Sequence, residues 1–158
     1  MRQMILTELK SSEWQQFAAF IDTLCLPIYA LDLKDKNVDQ PQANVIERVT
    51  KRLEQYLKGR LLLLPAIPFS GQNPDIFLTY LVEVVKELSE SSFHYLLLVV
   101  DEKHKEAVES LPEFSNLQVL THVVKSIEAL DQETVENSIE QEMLDLYNKT
   151  LNIWQTNK

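Results

Sequence analysis

Glycine is the scarcest structural resource in this chain of 158 residues: Gly59 and Gly71 are the only two. The three-glycine fingerprint of dinucleotide-binding turns and the glycine-and-lysine phosphate loop therefore cannot be assembled. Cysteine is scarcer still. Cys25 stands alone, which excludes an internal disulfide and any multi-cysteine zinc or iron–sulfur site, and suits a reducing compartment. The three histidines, His94, His104 and His122, show no metal-protease spacing, so a dedicated zinc site lacks evident ligands, while an all-carboxylate magnesium site stays open. No cofactor is expected.

Positive charge is short as well. Fifteen Lys and Arg face 24 Asp and Glu, a net charge of -9, and such a surface repels nucleic-acid phosphates and anionic lipid heads. No apolar run approaches the roughly 18 residues of a spanning helix, and the opening Met1-Arg2-Gln3-Met4 leads into no signal-like apolar region. The expectation is a cytoplasmic protein without membrane insertion or nucleic-acid binding. Arg48, Lys51, Arg52, Lys58 and Arg60 crowd one stretch while the final third is acidic, so a charge dipole is expected, either as a solvated helix face or as a surface for an acidic partner.

The apolar fraction of 45% and charged fraction of 25% are those of an ordinary globular domain, and the length fits one such domain over residues 1–158. A first helix opens at Ser11 or Ser12 and carries Trp14, Phe17, Ala18, Ile21, Leu24 and Cys25 at helical spacing. Pro27 ends it, and Leu26 to Leu33 reads as a strand. After a polar loop, a helix over Ala43 to Lys58 stops at Gly59, and Leu61 to Leu64 follows as a central strand covered on both faces.

Three prolines between Pro65 and Pro74 predict an irregular bend, followed by a helix over Asp75 to Leu88. Tyr95 to Val100 is a second buried strand closed by Asp101, then come a short helix, a strand at Leu117 to Val123 and a long helix over about Thr134 to Trp154. Strand–helix alternation points to an α/β fold: a three-layer αβα sandwich with a largely parallel sheet of about four strands and a long C-terminal helix.

In an open parallel sheet, ligands bind beyond the carboxyl ends of the strands. Asp32, Asp35, Ser70, Asp101, Lys103, His104 and His122 fall there, and Asp32, Asp101 and His122 form the candidate ligand crevice. Ser70, His122 and Asp101 have the chemistry of nucleophile, base and orienter, yet Ser70 lacks the small-residue elbow of a hydrolase serine. Turn and capping roles compete, with Asp101 capping the short helix that follows it and Ser70 closing the bend. The bend also sets Ile67, Pro68 and Phe69 on a loop, where they either meet a protein partner or tuck beneath it.

Two segments, Phe20-Ile21-Asp22-Thr23-Leu24-Cys25-Leu26-Pro27-Ile28 and Leu57-Lys58-Gly59-Arg60-Leu61-Leu62-Leu63-Leu64-Pro65, resemble the YpiF-like family of uncharacterised proteins of Bacillus-type Firmicutes, the domain of unknown function 2487. The resemblance implies a small cytoplasmic protein, often encoded beside menaquinol–cytochrome c reductase genes, with no catalytic residues to transfer. Three functional readings follow. The first is a non-catalytic protein-interaction or regulatory module, the second a small-molecule binder or hydrolase at the strand-end crevice, and the third self-association through the long C-terminal helix.

Overall fold

The computed structural model describes residues 3–69, 71–128 and 131–156. Its strands are β1 (Thr23–Ala30), β2 (Leu61–Leu63), β3 (Ile67–Phe69), β4 (Tyr95–Asp101) and β5 (Gln118–Val124). The helices are α1 (Ser11–Phe17), α2 (Pro41–Tyr56), α3 (Pro74–Ser89), α4 (Lys105–Glu109) and α5 (Gln132–Thr156). All strand pairings in the sheet are parallel, in the order β2-β1-β4-β5, with β3 also paired to β1.

Both central strands are apolar runs because both of their faces are covered. Cys25, Leu97 and Val99 project into a core shared with Val45, Ile46 and Val49 of α2 and Ile139, Met143 and Leu146 of α5. Leu24, Leu26, Leu96 and Leu98 project the other way, against Phe77, Leu81 and Val85 of α3 and Val108 of α4. The three-layer sandwich expected from the sequence is therefore present, with five strands rather than about four. Leu61–Leu63, expected at the centre, instead ends the strand order, its apolar run buried because helices cover both faces and the N-terminal segment covers its outer edge.

The fifth strand corrects the reading of the bend. Ile67–Phe69 is regular, pairing Ile28↔Ile67 and Ala30↔Phe69 along the same side of β1 as β2. The two prolines act as punctuation: Pro65 separates β2 from β3, and Pro68 occupies an outer edge. Thr23 and Leu31 donate to Arg60 and Phe69 on this side, so by alternation the nitrogen of Pro27 faces it too. Pro27 thus sits inside a central strand without breaking a ladder, because its missing N–H falls where β2 gives way to β3.

The first helix is also shorter than its periodicity suggests. It ends at Phe17, a single 3-10 turn covers Ala18–Phe20, and Thr23, Leu24 and Cys25 already belong to β1. Apolar spacing at Ile21, Leu24 and Cys25 matches a helix face, but for Leu24 and Cys25 burial between two neighbouring strands wins over it, and Ile21 lies in the link that leads into β1. Gly59 adopts the left-handed conformation expected of it, with φ of 92°.

Charges segregated in sequence meet in space. Arg48 and Arg52 both pair with Glu136 of α5, and Arg52 also approaches Glu140 at 3.4 Å. The acidic surface facing this basic stretch is thus supplied by the chain itself. At the amino end of the sheet, Trp154 of α5 donates its indole N–H to Thr23 Oγ1 at 3.0 Å, and the Arg60 guanidinium lies 3.8 Å from the centre of the Trp154 ring. Arg60 also grips Asp22 through two hydrogen bonds of 3.0 and 3.1 Å.

Candidate functional site

The chain leaves β1 on one side to form β2 and returns on the other side through α3 to form β4. The topological switch point therefore lies between the carboxyl ends of β1 and β4, where an open sheet splays and ligands settle. Here that opening is bridged. Asp101, the last residue of β4, accepts the backbone N–H of Ala30, the last residue of β1, at 2.7 Å.

The other Asp101 oxygen serves the turn that follows. It accepts the backbone N–H of His104 at 3.2 Å and holds His104 Nδ1 at 2.7 Å, which makes Asp101 the N-cap of the turn Glu102–His104. Burial by itself would raise the Asp101 carboxyl; the hydrogen bonds from His104 and Ala30 outweigh it and hold the group below the ordinary aspartate value. His104 is buried too, with its ring 4.3 Å from Phe77 and 6.1 Å from Phe69, centre to centre. Its Nε2 has no hydrogen bond among the described residues.

His122 belongs elsewhere. It projects from β5 toward α5, where Nε2 meets Glu142 Oε2 at 2.8 Å and Nδ1 meets Lys149 Nζ at 3.0 Å. The lysine donates to Nδ1, so in the neutral ring Nε2 carries the proton and donates to the carboxylate. Both ring nitrogens are thereby occupied, and Asp101 is occupied by Ala30 and His104. The structure does not join Asp101 and His122 in one hydrogen-bonded group, and Ser70 lies outside the described residues.

Asp32 is exposed, its Oδ1 accepting the N–H of Lys34 and its carbonyl accepting from Gln40. Asp35 and Lys36 follow in left-handed conformations, with φ of 56° and 59°, in an exposed turn; Lys103 is exposed as well. Of the Ile67-Pro68-Phe69 stretch, only Pro68 is exposed. Ile67 and Phe69 pack against the core beside α3, with Phe69 5.0 Å from Phe77.

Two groupings escaped the sequence reading. The Asp101–His104 pair had a signal, the three-residue spacing of a cap and its N3 partner. The Glu142–His122–Lys149 chain had none, because it joins a strand to a helix about 20 residues on. A third surface is apolar: a cleft of about 500 Å³ lined by Leu6, Leu9, Lys10, Trp14, Leu62 and Phe93, among others. Among the described residues no group of three His, Cys, Asp or Glu side chains could hold a metal ion, and no helix is long and apolar enough to cross a membrane.

No curated protein and no solved structure matches the chain. A family model does, over residues 12–154, described as a protein of unknown function (DUF2487). Its span takes in every strand and helix from α1 to the Trp154 anchor, so the chain belongs to the DUF2487 family.

Proposed function

We propose that this chain is a non-catalytic protein-interaction module of the cytoplasm, which receives a partner segment in the cleft between its N-terminal segment and α1. The observation that carries the reading is the bridge from Asp101 to Ala30: the place where this fold class binds small ligands is used to tie two strands together. The apolar cleft, by contrast, is open, and Trp14 and Phe93 within it lie 6.2 Å apart, centre to centre. Aromatic side chains at such a surface are what protein interfaces favour.

The occupant follows from the lining. Leu6, Leu9, Trp14, Leu62 and Phe93 suit an apolar side chain, and among the described residues Lys10 is the one charged residue lining the cleft, so the partner segment carries an acidic group beside its apolar anchor. Lone, buried Cys25 suits the reducing compartment, and the resemblance to YpiF-like proteins of Firmicutes supports the same setting.

Anilinonaphthalene sulfonate combines an apolar ring system with an anionic group and serves as the first probe. It should accept energy from Trp14 in the native protein, with Trp14→Phe and Leu9→Ser abolishing the signal while cooperative melting persists. A captured protein partner should be lost with the same substitutions. Capture and probe binding indifferent to Trp14 and Leu9 would sink the cleft reading.

A second reading is favoured by one observation, the Nε2 of His104 beside Asp101, which has no hydrogen bond among the described residues. A carboxylate-oriented imidazole at the carboxyl edge of a sheet suits a small-molecule site with His104 in place of His122. A thermal-shift screen with nucleotides, metabolites and divalent metals distinguishes it: a ligand whose stabilisation disappears in His104→Asn supports this reading over the first.

A further inference from the structure

The two edges of the sheet are treated differently. On the β2/β3 side, Leu63 donates to the carbonyl of Met4, and Ile5 bridges Leu63, so the N-terminal segment covers β2. Phe69 faces its carbonyl toward Leu31 of the loop after β1, which turns the donor-less nitrogen of Pro68 outward. That edge is blocked by a covering segment and a proline, two standard protections against strand addition.

The β5 edge carries neither. Gln118 donates to the carbonyl of His94, so Gln118, Leu120, His122 and Val124 spend their backbone groups on β4, and Val119, Thr121 and Val123 turn theirs outward. Among the described residues no strand lies beyond β5 and no hydrogen bond reaches those three backbone positions. Seven residues long, Gln118–Val124 contains no formally charged side chain other than a titratable histidine, no proline and no glycine. It is rich in β-branched residues, the composition that most readily accepts another strand.

We propose that β5 pairs with the β5 strand of a second copy of this chain, antiparallel about a two-fold axis at Thr121, to form one continuous sheet. Three features select this occupant. Pairing centred on Thr121 sets Val119 opposite the partner copy's Val123 and Thr121 opposite the partner copy's Thr121, so every outward position meets an outward position.

Side-chain identity is self-complementary in the same register, valine against valine and threonine against threonine. Charge agrees as well. A groove of about 400 Å³ runs beside this edge, lined by Leu111, Pro112, Glu113, Val119 and Thr121, among others, and Lys125 lies just past the other end of the strand. Antiparallel pairing brings the partner copy's Lys125 opposite Leu117, beside Glu113, at both ends of the interface. Neither Glu113 nor Lys125 has an ion pair among the described residues. The net charge of -9 opposes close approach of two copies, so the association strengthens as salt screens it.

The test uses the full chain. Sedimentation from about 1 µM to about 1 mM should show a monomer–dimer equilibrium that Thr121→Lys weakens by at least about tenfold. Paired Cα atoms in this register lie within about 6 Å, inside disulfide range, and native Cys25 is buried. Oxidation of Thr121→Cys should therefore give a cross-linked dimer far more completely than Thr79→Cys on exposed α3. Amide exchange at Val119, Thr121 and Val123 should slow as the wild-type concentration rises, which reads the interface without any substitution.

A wild-type chain monomeric throughout that range would overturn the proposal. So would a dimer unaffected by Thr121→Lys but broken by Leu144→Lys on the outer face of α5, or concentration-independent exchange at the three edge residues.

Discussion

Asp101 and Ala30 end adjacent strands, and the carboxylate of one closes on the backbone N–H of the other at 2.7 Å. This bond spans the divide between two halves of the sheet. Asp101→Asn keeps the shape but gives up the charge, and should cost about 2–3 kcal/mol at neutral pH, the range of buried hydrogen bonds to charged groups. Because the folded carboxyl is held below its ordinary value, the stabilisation is present above the unfolded pKa and lost as pH falls through the folded one. Urea titrations of both proteins should converge in acid; a gap that persists unchanged would show that the charge contributes nothing.

Glu54 gives the opposite pH dependence. It is fully buried on α2, one oxygen accepting the N–H of Met4 at 2.7 Å and the other without a partner among the described residues. Burial raises this carboxyl above its ordinary value, more than the Met4 bond and nearby Lys58 lower it. Its protonated form suits the fold, so stability is present below the unfolded pKa and lost as pH rises through the folded pKa. Glu54→Gln should therefore stabilise by about 1–2 kcal/mol at pH 8, with little effect in acid. Denaturant midpoints at the two pH values check it, and a loss of stability at pH 8 would count against it.

Phe69 is a core residue at the margin. Its ring lies against Phe77 and faces His104, so Phe69→Ser should cost about 3 kcal/mol. Gly71 is held close to the same ring: a Cβ there would come within 2.6 Å of the Phe69 side chain. Gly71→Ala should consequently shift or destabilise this corner, lowering the melting temperature by a few degrees, while Pro68→Ala, on the exposed edge, leaves it nearly unchanged.

Cys25 reports on global opening. Its thiol is buried in the central strand and burial pushes its pKa well above the ordinary value, so little thiolate is available. Labelling by a disulfide reagent should be negligible in the native protein and should track unfolding in urea. Rapid modification without denaturant would require a local opening of β1.

The fold was legible where apolar runs and stop signals agreed. Leu61–Leu63 and Tyr95–Val100 could only be strands buried on both faces, and Gly59 marked the end of a helix through its left-handed backbone. Legibility failed where one pattern fitted two periods: Leu24 and Cys25 continue the helical spacing of Ile21, yet the neighbouring strands claim them. Proline misleads similarly, because Pro65 marks a break and Pro68 an outer edge, and the three residues of β3 form around Pro68 itself. At the candidate site, Asp101 and its capping role were readable from local spacing. By sequence His122 falls in the expected crevice, because a position near a strand end says nothing of which face it occupies; the alternation of β5 sends it to Glu142 and Lys149.

Pro27 has a further effect. Slipping β1 by one residue against its neighbours would aim its imide nitrogen at β4, forfeiting a buried ladder bond, and would also exchange the strand's two faces. Slipping it by two would move the missing donor away from the gap between β2 and β3 and onto a residue that needs it. The proline therefore acts as a key for alignment: among the several ways an apolar strand could lie between two others, it favours the one with Pro27 beside Val99. Mispaired sheets are penalised before the side chains have packed.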